Sequence, residues 1–219
     1  MNTNTFLAQV AEFHRAFQYR QPEPTEPDLT CAATNELRPR LIAEELHELK
    51  AALDANDRVG QLDALCDTQY VLSGAVLAWG FRTMFASHPI ATDLRAIRDM
   101  DGHLAAMHGL NDQMDIAARL HFPAQVLTFL TILHQRLAQA VHHLGFGECF
   151  NKAFAEVHAN NLRKIWSEAD RDSWMYDTNL GGDILTFSKT IGGYIARNQS
   201  GKIIKPSSHS KVDLNMFVK

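Results

Sequence analysis

Apolar residues recur at helical spacing along most of this chain, and the places where the spacing stops divide it into elements. Phe6, Val10, Phe13 and Phe17 predict a first helix over Thr5–Tyr19. The run Gln21–Asp28 holds Pro22, Pro24 and Pro27, which predicts an extended link. A second helix is expected from Asn35 or Glu36, with Pro39 in its first turn, where a missing N–H does least harm. A third is expected over Val59–Trp79, stopping at Gly80, after a turn near Ala55–Arg58. Beyond Phe81 the pattern weakens. Asp93–Met107 has helical spacing, Gly109–Asn111 breaks it and Asp112–Leu120 resumes it. Val126, Leu130, Leu133, Leu137, Val141 and Leu144 predict a helix over Pro123–Leu144, and another is expected over Glu148–Trp166. After Asp170, Gly181, Gly182, Gly192, Gly193 and Gly201 interrupt short β-like runs. Tyr194–Arg197 and Lys202–Lys205 flank Asn198–Gly201 as a hairpin with a four-residue loop. The expected class is all-α, a helical bundle with extra helices and a small C-terminal extension containing a β-hairpin.

Acidic residues interrupt two of the apolar stripes. Leu37, Leu41, Glu45, Glu48 and Ala52 share one face, and so do Asp63, Asp67, Tyr70, Gly74 and Leu77. Asp is a poor interior helix residue, because its side chain competes for backbone hydrogen bonds. If the chain folds back near Asn56, Glu48 stands level with Asp63 and Glu45 with Asp67, roughly 11–17 Å from the turn at 1.5 Å per residue. Carboxylates that close repel unless a cation sits among them. A hard divalent ion, Mg²⁺ or in its place Mn²⁺, is the expected occupant.

Composition narrows the setting. A formal net charge of −4 gives no global attraction to a nucleic acid polymer or an anionic membrane. The longest nearly apolar run, Val71–Phe81, is too short to span a bilayer. The first residues have no signal-peptide pattern, and Cys31, Cys66 and Cys149 form no C-x-x-C spacing, so a reduced cytoplasmic setting is expected. From Phe187 onward six Lys or Arg stand against one acid, Asp213. Such a tail suits closure over something negative. Two domain-level units are expected: 1–168 as the helical domain, with an insertion around 82–121, and 169–219 as a basic extension closing on the site.

Leu37-Arg-Pro-Arg-Leu-Ile-Ala-Glu-Glu-Leu-His-Glu-Leu49, followed by Asp63-Ala-Leu-Cys-Asp67-Thr-Gln-Tyr70, resembles the MazG-like all-α nucleoside triphosphate pyrophosphohydrolases, and most of all their phosphoribosyl-ATP pyrophosphohydrolase-like branch. Phe13–Phe17, Ala153–His158 leading to Asn161 and Lys164, and Gly201–Pro206 extend the resemblance. It implies that Glu45, Glu48, Asp63 and Asp67 hold Mg²⁺, with Glu44 and Glu45 as catalytic groups and Glu44 as a further ligand or the base. It implies Tyr70, Asn161, Lys164, Lys202 and Lys205 as substrate-binding residues. The implied reaction splits a triphosphate between its α and β phosphates, with deoxynucleotides the expected substrates and trimming of a purine such as dGTP a phage-type role. Together with the apolar helical surface, the resemblance implies a homodimer or homotetramer. Ala64 stands where many members carry Glu, and Asp63 takes its place. Two other readings exist. A helical interaction module would have no use for buried aspartates, and a di-iron bundle needs a second Glu-x-x-His beside Glu44–His47, which the chain lacks.

Overall fold

The computed structural model describes residues 1–88, 97–174, 184–199 and 201–218. Helix α1, Thr3–Ala16, starts where the Asn2 side chain accepts from Thr5 N at 3.3 Å. It ends earlier than its apolar spacing suggests, because Gln18 turns left-handed (φ 58°) and Tyr19 N bonds back to His14 O at 2.8 Å. The proline link then leads to α2, Ala32–Asp54, which begins before the expected Asn35. Pro39 consequently lies two turns in, not in the first turn, and its own carbonyl accepts from Asn111 Nδ2 of a later helix at 2.9 Å.

Asn56 is left-handed (φ 51°) and Asp57 N returns to Ala52 O, so the chain reverses where expected. Asp57 then caps α3, Arg58–Ala78, accepting from Gly60 N at 3.0 Å. Gly80 closes α3 at φ +75°, and a Cβ there would meet Glu26 O of the proline link at 2.5 Å. Short α4, Arg82–Ala86, follows. The expected start at Asp93 lies outside the described residues. The expected break at Gly109–Asn111 does not occur: α5 runs unbroken over Met100–Arg119. Asn111 spends its amide on Pro39 O across the bundle instead of on its own backbone, so it does not interrupt the helix.

Helix α6, Pro123–His143, matches its stripe. Helix α7, Phe150–Leu162, is shorter than the expected Glu148–Trp166. Trp166 leaves the helix because it pairs as a β-bridge with Tyr194, while its indole N–H donates to Ile204 O at 2.7 Å. After α8, Glu168–Ser173, strands β1 (Thr186–Thr190), β2 (Gly193–Arg197) and β3 (Ile203–Ile204) form an antiparallel sheet in that order. Ala196 pairs with Ile204 and Arg197 with Ile203, so the expected hairpin forms, with Lys202 and Lys205 just outside β3. Gly181 and Gly182 lie outside the described residues.

Helix α3 is the axis. It is buried almost all round, with α1, α2, α6 and α7 packed on it, and α5 and α6 form a second hairpin against α2 and α3. Asn35 locks one end, donating to Leu29 O and Ala118 O and accepting from the Trp79 indole at 2.9 Å. A second, smaller core of Trp166, Leu185 and Ala196 lies under the sheet, while Leu214 returns the tail to the main core. Among the described residues no helix is long and apolar enough to cross a membrane.

Candidate active site

Because α2 and α3 are antiparallel and joined by a tight turn, the acids of both helices meet on one side of the hairpin. Glu45 is half-buried and lies in the field of Asp67, Glu48, Glu44 and Asp63; burial first, then these charges, push its carboxyl up to about 8. Asp67 is raised to about 7 by burial and by Asp63, with Glu48 adding to it and Lys164 opposing. Asp63 is also raised, mainly by burial, with Lys211 and Lys164 pulling the other way and Glu48 and Asp57 reinforcing. Four carboxyl groups thus share one field with too little positive charge nearby.

Whether these groups suit a metal ion can be judged from their chemistry. All four are hard, anionic oxygen donors, which suits Mg²⁺ or Mn²⁺. Among the described residues, however, no group of three or more His, Cys, Asp or Glu already stands in ligand geometry.

The other sequence-predicted residues fall at different depths. Glu44 is exposed on the rim, with Arg40 Nε 3.6 Å from its carboxylate. Tyr70 is buried, its ring edge-on to Phe13 and its hydroxyl 3.1 Å from His158 Nδ1. Burial raises the phenol well above its usual range, while Asn161 at the hydroxyl works against that. His158 in turn reaches Glu12 at 3.2 Å. Lys164 follows α7 and is lowered by burial, with Asp67 opposing and the nearby Lys205 adding to the lowering. Lys202 stands apart on the hairpin, exposed, its backbone N–H bonded to Asn198 Oδ1. Sequence reasoning missed Lys211, which faces Asp63; the basic bias of the tail was the available signal. His47 lies against His108, ring centroids 4.6 Å apart and planes tilted by 44°.

An all-α bundle organised around a helical hairpin with acids on both arms defines the class. Residues 10–83, about a third of the chain, match the phosphoribosyl-ATP pyrophosphohydrolase family model, a MazG-like all-α group. That segment contains Glu44, Glu45, Glu48, Asp63 and Asp67, so the resemblance covers the candidate site and points to pyrophosphohydrolase activity on nucleotides. No curated protein and no solved structure matches the chain.

Proposed function

We propose that this protein is a Mg²⁺-dependent nucleoside triphosphate pyrophosphohydrolase, splitting the bond between the α and β phosphates to give a monophosphate and pyrophosphate. The observation that carries the reading is the convergence of Glu45, Glu48, Asp63 and Asp67 on one side of the α2–α3 hairpin, where Glu45, Asp63 and Asp67 each feel their neighbours' negative charge. Those four residues would hold the metal, which when bound supplies neutralisation of the phosphate oxygens and Lewis-acid polarisation. Glu44, on the solvent side of the field, takes the proton of the attacking water as general base. Lys164 and Lys211, which act on Asp63, and Lys205, beside Lys164, offset charge on the departing pyrophosphate. Tyr70, tied to His158 and Asn161, fixes the α3–α7 contact that sets Lys164 beside Asp67.

Deoxynucleoside triphosphates are the proposed substrates, and a homodimer or homotetramer the proposed assembly. The test is chromatography of products from a panel of ribo- and deoxynucleoside triphosphates with Mg²⁺. Monophosphate with intact pyrophosphate is expected. A diphosphate with inorganic phosphate would overturn the reading.

A further inference from the structure

At the end of the hairpin away from its turn, the fold buries a positive charge with nothing to meet it. Arg38 is 7% exposed, and its Nε is enclosed without an acceptor. Among the described residues no carboxylate pairs with it; the Tyr19 ring lies 5.8 Å from the guanidinium carbon. Arg197 lies over the same ring at 5.4 Å, but its donors are taken by Phe17 O and Gly201 O at 2.7 and 3.3 Å. Gly74 of α3 forms the facing wall. A Cβ there would meet Arg38 Nη1 at 2.9 Å and His14 Nε2 at 3.3 Å, so the guanidinium lies directly against the helix. His14 is itself fully enclosed with Nδ1 unpaired, and burial keeps it neutral.

A buried guanidinium without an acceptor is costly to keep. Its location says what would relieve that cost. Arg38 and Glu45 are seven residues apart on one face of α2, roughly 10 Å along the axis. Gly74 and Asp67 keep the same spacing on α3. A nucleotide whose phosphates sit at the acids would therefore bring the outer edge of its base, not a further phosphate, to Arg38. The fork offers donors only. Adenine and cytosine present an amino group on their major-groove edge, and thymine a single carbonyl. Guanine alone presents two adjacent acceptors, O6 and N7.

We propose that Arg38 is the specificity residue of this site, its fork donating to O6 and N7 of a guanine base held between α1, α2 and the Gly74 face of α3. The inference rests on the pyrophosphohydrolase reading for the placement of the phosphates, but its test does not require turnover. Calorimetric titration with dGMP, dAMP and 7-deaza-dGMP at saturating Mg²⁺ reads the base without turnover, because a monophosphate has no bond between α and β phosphates to split. Wild type should bind dGMP about 10-fold or more tightly than dAMP, the scale of one bidentate contact, and 7-deaza-dGMP should lose most of that advantage. Arg38→Gln should erase the preference, and Arg38→Lys, which keeps charge but not the fork, should retain only part of it. Equal binding of dGMP and dAMP by wild type, no binding of either, or an unchanged preference in Arg38→Gln would overturn the proposal. Should a variant fail to fold, the wild-type comparison with the 7-deaza analogue still decides it. A guanine preference in binding, with no triphosphate hydrolysed under Mg²⁺, would instead sink the functional reading and leave Arg38 in place.

Discussion

Near its turn the α2–α3 hairpin gathers Glu45, Glu48, Asp63 and Asp67 with too few cations, and two helical turns further on the same two helices enclose Arg38 with no anion among the described residues. Both ends leave a charge unmatched, but they relax differently. Glu45, Asp63 and Asp67 are half-buried beside the exposed Glu48, and burial with the neighbouring charges shifts Glu45 to about 8 and Asp67 to about 7, so these two can take up protons. A guanidinium cannot shed its proton in this range, so Arg38 stays charged and must be tolerated by its surroundings. The first end is therefore tuned by solution conditions, and the second waits for a fitted acceptor.

The largest expected effect tests the acidic end. Asp67→Asn and Glu48→Gln should each lower turnover by about 10²–10³-fold, the scale of losing one preorganised electrostatic group. Without metal, both variants should melt at the wild-type temperature or above it, because each removes repulsion. Loss of an exposed ion pair would do neither, changing stability by about 0–1 kcal/mol and leaving turnover intact. Thermal melting with and without Mg²⁺ gives the next effect. At 100 times its dissociation constant the ion should stabilise wild type by about 2.7 kcal/mol, or several degrees. Asp67→Asn should show much less of this shift, and Arg38→Gln should show all of it. Equal shifts in Asp67→Asn and wild type would place the ion elsewhere.

The acidic end was legible in the sequence because Asp63 and Asp67 break a stripe that is otherwise apolar, and their distances from the turn at Asn56 match those of Glu48 and Glu45 on the other arm. The arginine end was only half legible. Arg38 and Arg40 stand two residues apart with no local pattern to tell them apart; the structure buries one and pairs the other with Glu44. That separation depends on His14, Tyr19 and Gly74, which arrive from α1, its exit and α3, and no local pattern brings those together. Helix boundaries failed for similar reasons. The side chain of Asn111 looked like a breaker until its long-range acceptor was known, and Trp166 looked helical until the strand at Tyr194 claimed it.

Smaller and slower effects appear in the pH dependence of stability. His14, lowered to about 3, and His134, lowered to about 4, are both depressed chiefly by burial. The unfolded chain binds their protons more readily, so their contribution is present above pH 6.5 and is lost as pH falls toward 3–4. Glu45 and Asp67 have the opposite sign. Their folded forms hold protons longer than the unfolded chain, so stability falls as pH rises through about 7 and about 8. The apoprotein should therefore lose melting temperature on both sides of mildly acidic pH, and Mg²⁺ should abolish only the alkaline loss. An alkaline loss that persists at saturating Mg²⁺ would detach it from the acidic cluster.

The smallest effect on stability should be the sharpest on recognition. Gly74→Ala adds a methyl group 2.9 Å from Arg38 Nη1 and 3.3 Å from His14 Nε2. The guanidinium is the far end of a long side chain and can move aside, whereas the histidine ring is enclosed and cannot. Against this crowding, alanine in place of glycine inside a helix gains up to about 1 kcal/mol, so the melting temperature should change little. The Mg²⁺-induced shift should also survive, because Asp67 is two turns away on the same face. Arg38, however, loses the one position in which its fork lies flat against α3. The preference for dGMP over dAMP should fall toward unity while overall affinity for the sugar and phosphate is kept. A Gly74→Ala protein that keeps its guanine preference would mean that the fork reads the base from some other pose, and the Gly74 wall would have to be dropped from the proposed pocket. One that loses its metal response as well would mean that the two ends of the hairpin are coupled, and the division between a tunable acidic end and a fixed arginine end would fail.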